Sequence, residues 1–388
     1  MNKDFLLYDV IIIGAGSSGL MLADRLNDTK LKVLLLEGTR RIGTKLLLTG
    51  NGRCNVLSSD SATELEHAIH NGRFLRSAYH KYDLHKFFRK HNLPLKQENK
   101  RLYPASEKAR DVVDCFRIHN VTLKKNCKVE DLIFKEDNLV GVKTNSGEFY
   151  GKNIAVCSGG KTYPKSGSDG SMHKILKKYG VKFTKIYPSE VALVYPDFTE
   201  LSGIALDGVR MFNKKREFTG SLLFTHKGLS GPLSISMGEF VAREEGDTFI
   251  DFFPELNEDQ LFNKIWENHK FLENKFPKRF YQHIMQFFPH NNPNKKEIRK
   301  FVTNKIKRYH LKDVKTMPLE YAFTTAGGVS LKEISPKNCQ HKKITNLYLT
   351  GELLDLHGEI GGYNLMVAWY TGMIVADAIK EKFDIIEN

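Results

Sequence analysis

Arg53 and Cys54 follow directly on "LLLTGNG", a stretch in which Gly50 and Gly52 bracket Asn51. A guanidinium in that place can offset phosphate or other negative charge, and a thiol beside it can exchange a proton. Far along the chain, "FTHKGLSGP" supplies His226, whose imidazole exchanges protons near neutral pH, and Ser230, a hydrogen-bond donor. Together these residues suit proton delivery to a substrate: Arg53 lowers the pKa of Cys54, and either Cys54 or His226 serves as the acid. Each has a plainer alternative. Cys54 can be a small buried residue that packs, and "FTHKGLSGP" can be a structural turn stabilised by Thr225 and His226.

Such side chains need a frame, and the first part of it stands at the amino terminus. "YDVIIIGAGSSGLMLADRL" reads as a buried strand from Val10 to Ile13, a tight turn, and a helix starting near Ser17. Of its glycines, Gly14 permits the turn, Gly16 lets the backbone approach a pyrophosphate, and Gly19 lets helix and strand pack closely. A second strand, "KVLLLE", ends in Glu37, where a carboxylate accepts hydrogen bonds from an adenosine ribose. Strand, turn, helix, strand and acid in that order predict a dinucleotide site.

The second part of the frame lies at the other end. "NLYLTGELLDLHGEIGGYNLMVAWYTGMIVADAI" reads as a strand from Leu347 to Thr350, an acidic loop, and a long apolar helix beginning near Asn364. Gly351, Glu352 and Asp355 put carboxylates where a ribityl chain or pyrophosphate would hydrogen-bond. Gly361 and Gly362 leave the helix amino terminus open to the negative charge of a reduced flavin. A plain strand, loop and helix is the alternative, but the two chain ends together point to FAD.

Further pieces are "TGNGRCN", "NGRF" at 71–74, "YPKSGSDG" at 163–170, "THKGLSGP" at 225–232, "TTAGGV" at 324–329 and "TGELLDLHGEIGGYNL" at 350–365. In these, running in order over nearly its whole length, the chain resembles a bacterial family of FAD-dependent oxidoreductases. That family includes aminoacetone oxidase, a bile-acid-intermediate reductase and a dihydrouridine synthase acting on large-subunit ribosomal RNA. Asn51 stands where the family more often has glycine.

The resemblance implies FAD contacts from Gly14, Gly16, Ser18 and Gly19, from Glu37 and Gly38, and from Lys45, Gly50, Gly52, Arg53 and Cys54 of the glycine loop. It also implies contacts from Gly159 and Gly160, and near the carboxyl end from Gly351, Glu352, Asp355, Gly361, Gly362, Tyr363 and Asn364. Three functions stay open. The favoured one is reduction of an activated C=C bond with a ribosomal RNA uridine as substrate; the others are oxidation of a small amine by oxygen and a non-catalytic, flavin-bearing RNA-binding or assembly role. No second GxGxxG unit follows the first, so NAD(P)H, if it is the donor, would visit the flavin site transiently.

At 388 residues the chain is long enough for several domains. The fold class expected is α/β: a Rossmann-like FAD-binding domain, 1–188 and 324–388, interrupted by a two-part insertion that is β-rich over 189–254 and helical over 255–323. Residues 75–116 read as helical, with Ser106 capping a helix from Glu107. A hairpin turns at Asn145 to Gly147, a buried strand ends at Cys157 to Gly160, and Ser166 to Gly170 brings further backbone N–H groups toward FAD, or is an ordinary cap by Asp169.

Composition narrows the setting. Five scattered cysteines without a CxxC pair suit a reducing cytoplasm, and the fourteen histidines show neither HExxH nor zinc spacing, so no metal is expected. No apolar run reaches membrane-helix length, and Asp4 and Asp9 argue against an amino-terminal leader. The formal charge of +14 suggests a polyanion such as ribosomal RNA, although a lysine-rich genome would produce it too. "NKKEIRKFVTNKIKRYHLKDVK" puts Ile298, Phe301, Val302, Ile306 and Tyr309 on one face and eight cations, Lys300, Lys305, Lys307 and Arg308 among them, on the other. That basic face is either solvated or tracks a phosphate backbone. Without RNA the partner is a small-molecule substrate; no membrane partner is expected, and oligomeric state is open.

Overall fold

The computed structural model describes residues 7–290 and 292–385. Asp4 lies outside them. The chain forms two units, one made of Met1–Ile186 with Thr324–Asn388 and the other of Tyr187–Phe323.

In the first unit, strand Leu7–Ile13 pairs in parallel with Val33–Leu36 on one side and with Gly147–Val156 on the other. Thr122–Lys124 extends the sheet beyond Val33–Leu36, and Leu347–Leu349 lies along the last residues of Gly147–Val156, both again parallel. Val10, Ile11, Ile12, Leu34 and Leu35 are fully buried. Burial on both faces explains why these strands read as unbroken apolar runs rather than alternating ones. Helix Tyr363–Lys382 packs against helix Ser17–Asn27, and the approach is so close that a Cβ on Gly372 would sit 2.8 Å from the Ser18 carbonyl. Its Trp369 is wholly buried and donates to the Val56 carbonyl at 3.2 Å.

Strands Val33–Leu36 and Gly147–Val156 flank Leu7–Ile13 on opposite sides, the strand order at whose carboxyl ends α/β sheets bind ligands. Gly14, Cys157 and Thr350 are the residues immediately after three of these strands. Turn, central loop and acidic loop therefore leave the sheet at one edge.

One stretch departs from the helical expectation over 75–116. Helices Arg76–Lys81, Leu84–Lys90 and Ala109–Asp114 form, but Leu95–Glu98 and Arg101–Pro104 intervene as a hairpin that also pairs with Leu57–Ser58. A two-residue turn at Asn99, with φ +55°, joins the strands. Asparagine tolerates that left-handed backbone, and the pairing overrides the helical preference of Lys96, Gln97 and Glu98. The following helix begins at Ala109, two residues later than expected, and Ser106 Oγ accepts only from Lys108 N at 3.4 Å.

The second unit is built on a seven-stranded sheet in which each strand is antiparallel to its neighbours. From one edge the order is Tyr309–His310, Phe249–Asp251, Ala205–Phe212, Glu217–Thr225, Gly228–Ser230, Leu193–Val194 and Lys315–Thr316. Helices Gly231–Ala242, Glu258–Glu267, Lys278–Met285 and Lys295–Phe301 accompany it. Asn257 with Gln260 and Asn294 with Glu297 close capping boxes at two helix starts. The β-rich and helical pieces are both present and share one core, in which Phe198 and Phe224 cluster with Phe280, Ile298 and Ile306. Ile298, Phe301, Val302, Ile306 and Tyr309 are all buried, yet the helix stops at Phe301, continues as a π-helical turn Val302–Lys307, and places Tyr309 on a strand. Among the described residues no helix is long and apolar enough to cross a membrane.

Candidate flavin site

The three glycines of the first turn divide by what surrounds them. A Cβ on Gly14, whose φ is +102°, would fall 2.6 Å from the Cys157 carbonyl oxygen, and one on Gly19 would fall 1.9 Å from the Gly14 carbonyl oxygen. Protein packing therefore demands both. Gly16 has nothing within 4 Å of its Cβ position, and as the N-cap of helix Ser17–Asn27 it offers no side chain to the first-turn N–H groups. An open backbone surface at a positive helix end is what a pyrophosphate needs.

Glu37 sits beside that turn. Its Oε2 accepts from Ala15 N at 2.9 Å, and its Oε1 accepts from Thr39 N at 2.8 Å and Thr39 Oγ1 at 2.7 Å. A carboxylate has about four lone-pair sites, so one remains for a ribose hydroxyl. Gly38 contributes no close approach, its nearest neighbour being Lys128 at 3.8 Å. The loop from Ser166 to Gly170 does return here: a Cβ on Gly167 would lie 3.7 Å from Glu37 Oε1, and one on Gly159 would lie 3.0 Å from Ser168 Oγ. Ser168 Oγ is buried and has no hydrogen-bond partner among the described residues. Sequence reasoning marked the loop but not this hydroxyl. Asp169 Oδ1 accepts from Ser171 N at 2.8 Å, but the N-cap of helix Ser171–Lys178 is Gly170, without a side-chain cap bond, so Asp169 stands one residue before the cap. His173, also missed, has both ring nitrogens buried without a partner, and burial depresses its pKa to about 4.

At the acidic loop, Glu352 is bound by the chain's own groups. Its Oε2 lies 2.6 Å from Lys45 Nζ, while Oε1 accepts from Thr325 N at 2.8 Å and Thr162 Oγ1 at 3.1 Å. Burial alone would raise its pKa, but the Lys45 ammonium and the Thr325 donors overcome this and hold it below the usual carboxylate value. Gly160 is required beside it, because a Cβ there would come within 2.7 Å of Glu352 Oε1. Lys45 and Glu352 thus brace two loops against each other. Ser18 also joins the chain ends, accepting from Thr350 Oγ1 at 3.0 Å with Gly351 packed against it.

The glycine-bracketed loop forms a left-handed run: φ is +56° at Gly50, +55° at Asn51 and +85° at Gly52. Asparagine takes this backbone more readily than other side chains, which explains how Asn51 fits between the two glycines. Gly52, like Gly16, has nothing within 4 Å of its Cβ position. The two residues that follow do not behave as expected. Arg53 Nη2 lies 2.6 Å from Glu98 and 3.2 Å from Glu107, and its guanidinium stacks 4.2 Å over the Tyr103 ring. Its charge is offset by the hairpin that the helical reading missed. Cys54 is wholly buried, and desolvation pushes its thiol up to about 12 rather than down. The lowering by Arg53 is corrected accordingly, and this burial suits the packing alternative for Cys54.

At the carboxyl-end helix, Gly362 is the N-cap with φ +90°, and a Cβ there would lie 3.1 Å from Asn55 Oδ1. That oxygen is buried and unpartnered, which makes Asn55 a second polar group missed in the sequence although it closes "GRCN". Gly361 is held tight by the Tyr363 ring. Tyr363 donates its hydroxyl to Asp60, and Asn364 Nδ2 donates to the Gly358 carbonyl while its Oδ1 accepts from Gly358 N. Asp355 faces His70 at 3.8 Å. In the second unit His226 is exposed at the turn between Glu217–Thr225 and Gly228–Ser230; Thr225 Oγ1 bridges that turn, donating to the Gly228 carbonyl and accepting from Lys227 N. Ser230 is the N-cap of Gly231–Ala242 without a side-chain cap bond.

These residues fit FAD. Gly16 and the helix start would take the pyrophosphate, Glu37 the ribose, and the Gly362 helix start with Asn55 the polar edge of the ring; Ser168 Oγ is free for a further bond. Comparison agrees. The model of the HI0933-like protein Rossmann domain matches residues 8–378. The 3-dehydro-bile acid delta(4,6)-reductase of Clostridium scindens is 28% identical, over 96% of this chain and 98% of that protein. The ribosomal RNA dihydrouridine synthase of Haemophilus influenzae is 26% identical, over 96% of this chain and 98% of that protein. Among solved structures, the 3-ketosteroid-delta4-(5alpha)-dehydrogenase of Rhodococcus jostii shares the fold with a TM-score of 0.53 at 12% identity, covering 98% of both chains. The chain belongs to the HI0933-like Rossmann family of FAD-dependent oxidoreductases.

Proposed function

We propose that the protein reduces an activated C=C bond and that its substrate is a uridine of ribosomal RNA, converted to dihydrouridine. The observation that carries this reading is the end-to-end match to a ribosomal RNA dihydrouridine synthase, on a chain with a formal charge of +14. Reduced FAD, when bound, supplies hydride to one carbon of the bond. The neighbouring carbon takes a proton from a side chain. Of the two candidate acids, Cys54 is buried and His226 is exposed. The hydride pair forms one C–H bond, the former π pair forms the other to the incoming proton, and the two electrons taken from the flavin are replenished by NAD(P)H visiting the same site, in the cytoplasm where ribosomes are made. A small conjugated ketone is the second reading, favoured by the bile acid reductase.

The experiment is to incubate the FAD protein and NAD(P)H with ribosomal RNA from a strain lacking the gene, then count dihydrouridine by nucleoside mass spectrometry. New dihydrouridine at one position supports the reading. Unmodified RNA, with rapid consumption of NAD(P)H on a conjugated steroid ketone, replaces it with the second.

A further inference from the structure

The second unit carries a cleft of about 510 Å³ whose lining mixes cations and rings: Lys305, Arg308 and Lys312 with Phe249, Phe287 and His310. That volume lies in the range of small-ligand sites. Three features suggest what it holds.

The first is the wall. Along Val302–Lys307 the helix opens into a π-helical turn, an irregularity common at functional sites. Lys305 and Lys307, both within it, point to different surroundings. Lys307 turns inward, 2.8 Å from Asp251 Oδ2, and donates to the carbonyls of Phe253 and Leu256. Lys305 and Arg308 face the cleft.

The second is charge. Among the described residues Lys305, Arg308 and Lys312 make no ion pair, whereas Arg299 is paired with Asp259 and Arg210 with Asp251. The cleft also carries one carboxylate, Asp197, and His310 lies 3.5 Å from Asp247. Three cations without an ion pair against the single carboxylate Asp197 leave the opening net positive, which favours an anion.

The third is a stack. Phe212, Phe249 and His310 stand directly opposite one another on three neighbouring strands. Their rings are stacked, with centroids 5.6 and 5.0 Å apart, and Arg308 lies 4.9 Å from the Phe249 centroid. His310 ends the stack, exposed on the edge strand, and across the cleft Phe287 is 38% exposed with Lys305 4.0 Å over its ring. Rings open to solvent beside unpaired cations are the arrangement that takes unpaired bases and their phosphates.

We infer that this cleft binds a nucleotide of single-stranded RNA, stacking its base on Phe287 or His310 and holding the flanking phosphates with Lys305, Arg308 and Lys312. The inference rests on the RNA reading above and adds the place where the strand is gripped.

The test titrates a fluorescein-labelled oligouridylate into the FAD-loaded full chain by anisotropy over a range of salt. Lys305→Gln/Arg308→Gln/Lys312→Gln should lower affinity and flatten the log–log salt slope by about 2, at roughly 0.7 for each phosphate that is no longer neutralised. Phe287→Ala, or His310→Ala should the first disturb folding, should weaken binding by about 5- to 150-fold with the slope unchanged, as removal of one stacking ring would. Lys296→Gln/Lys300→Gln, outside the cleft, should keep more of the wild-type affinity than either. FAD content and Tm establish that each variant is folded. If wild type shows no salt-dependent RNA binding, the RNA reading itself fails. If wild type binds and the cleft variants bind equally well, the cleft is overturned while that reading stands. Saturable binding of free NADPH that oligouridylate does not displace overturns the choice of RNA.

Discussion

Lys45 Nζ and Glu352 Oε2 lie 2.6 Å apart, joining loops 307 positions distant in the chain. Glu352 is held ionised below the ordinary carboxylate value, so its contribution to stability is complete above that value and drains away as pH falls through the lower folded one. Lys45→Met removes a charge-assisted hydrogen bond between partly buried groups and should cost about 1.5 to 3 kcal/mol at neutral pH. Once Glu352 is protonated it needs no cation. The Tm gap between wild type and Lys45→Met should therefore narrow on acidification, and a gap that stays constant down to about pH 3 would show that the brace is not electrostatic.

Gly16 and Gly19 make opposite predictions within one turn. A Cβ on Gly19 would collide with the Gly14 carbonyl, so Gly19→Ala should destabilise the protein even without cofactor, by roughly 1 to 3 kcal/mol or more. Gly16 has φ −84° and open space, so Gly16→Val should leave the Tm of cofactor-free protein nearly unchanged while abolishing the yellow colour. Absorbance after reconstitution with FAD decides it. Stoichiometric FAD on Gly16→Val would move the pyrophosphate elsewhere.

Lys307 and Lys300 look alike in the sequence and should differ in stability. Lys307→Met strips a buried ammonium from Asp251 and from two carbonyls, which should cost about 3 kcal/mol and expose the second unit to protease. Lys300 is exposed, and Lys300→Met should stay within about 0.5 kcal/mol. Equal protease sensitivity would remove the distinction.

That contrast shows where sequence reading reaches its limit. The turn at Gly14, Gly16 and Gly19 was legible because it is local: strand, helix and glycine spacing all lie within about 20 residues. So was the left-handed loop, since glycine and asparagine mark positive φ wherever they cluster. The partners of Arg53 were not legible. They depend on a hairpin whose residues, Lys96, Gln97 and Glu98, have helical propensity and join a sheet only because Leu57–Ser58 and Arg101–Pro104 are there to pair. The inward turn of Lys307 depends likewise on a π-helical turn that shifts the helical phase, and no periodicity argument over an ideal helix anticipates it. Ser168 and Asn55 show the same limit, for a hydroxyl or amide becomes a candidate ligand only when burial leaves it without a partner.

The last prediction separates the two candidate acids. Proton transfer is most effective when the acid's pKa lies near the working pH. Cys54 is far from that condition: desolvation pushes it up to about 12, no side-chain surface reaches solvent, and the nearest cation in sequence, Arg53, is engaged by Glu98 and Glu107. Cys54→Ala should therefore keep FAD, take up electrons normally and reduce substrate within a few-fold of wild type. Folded wild type should also leave Cys54 unlabelled by iodoacetamide at neutral pH, with labelling appearing on unfolding. His226→Gln should instead lose about 10² to 10⁴ in the substrate half-reaction alone, because a general acid acts after electrons have entered. Stopped-flow absorbance resolves the two half-reactions. Loss of the substrate step in Cys54→Ala with His226→Gln intact would reverse the prediction, and would require the loop after Gly52 to open when substrate binds.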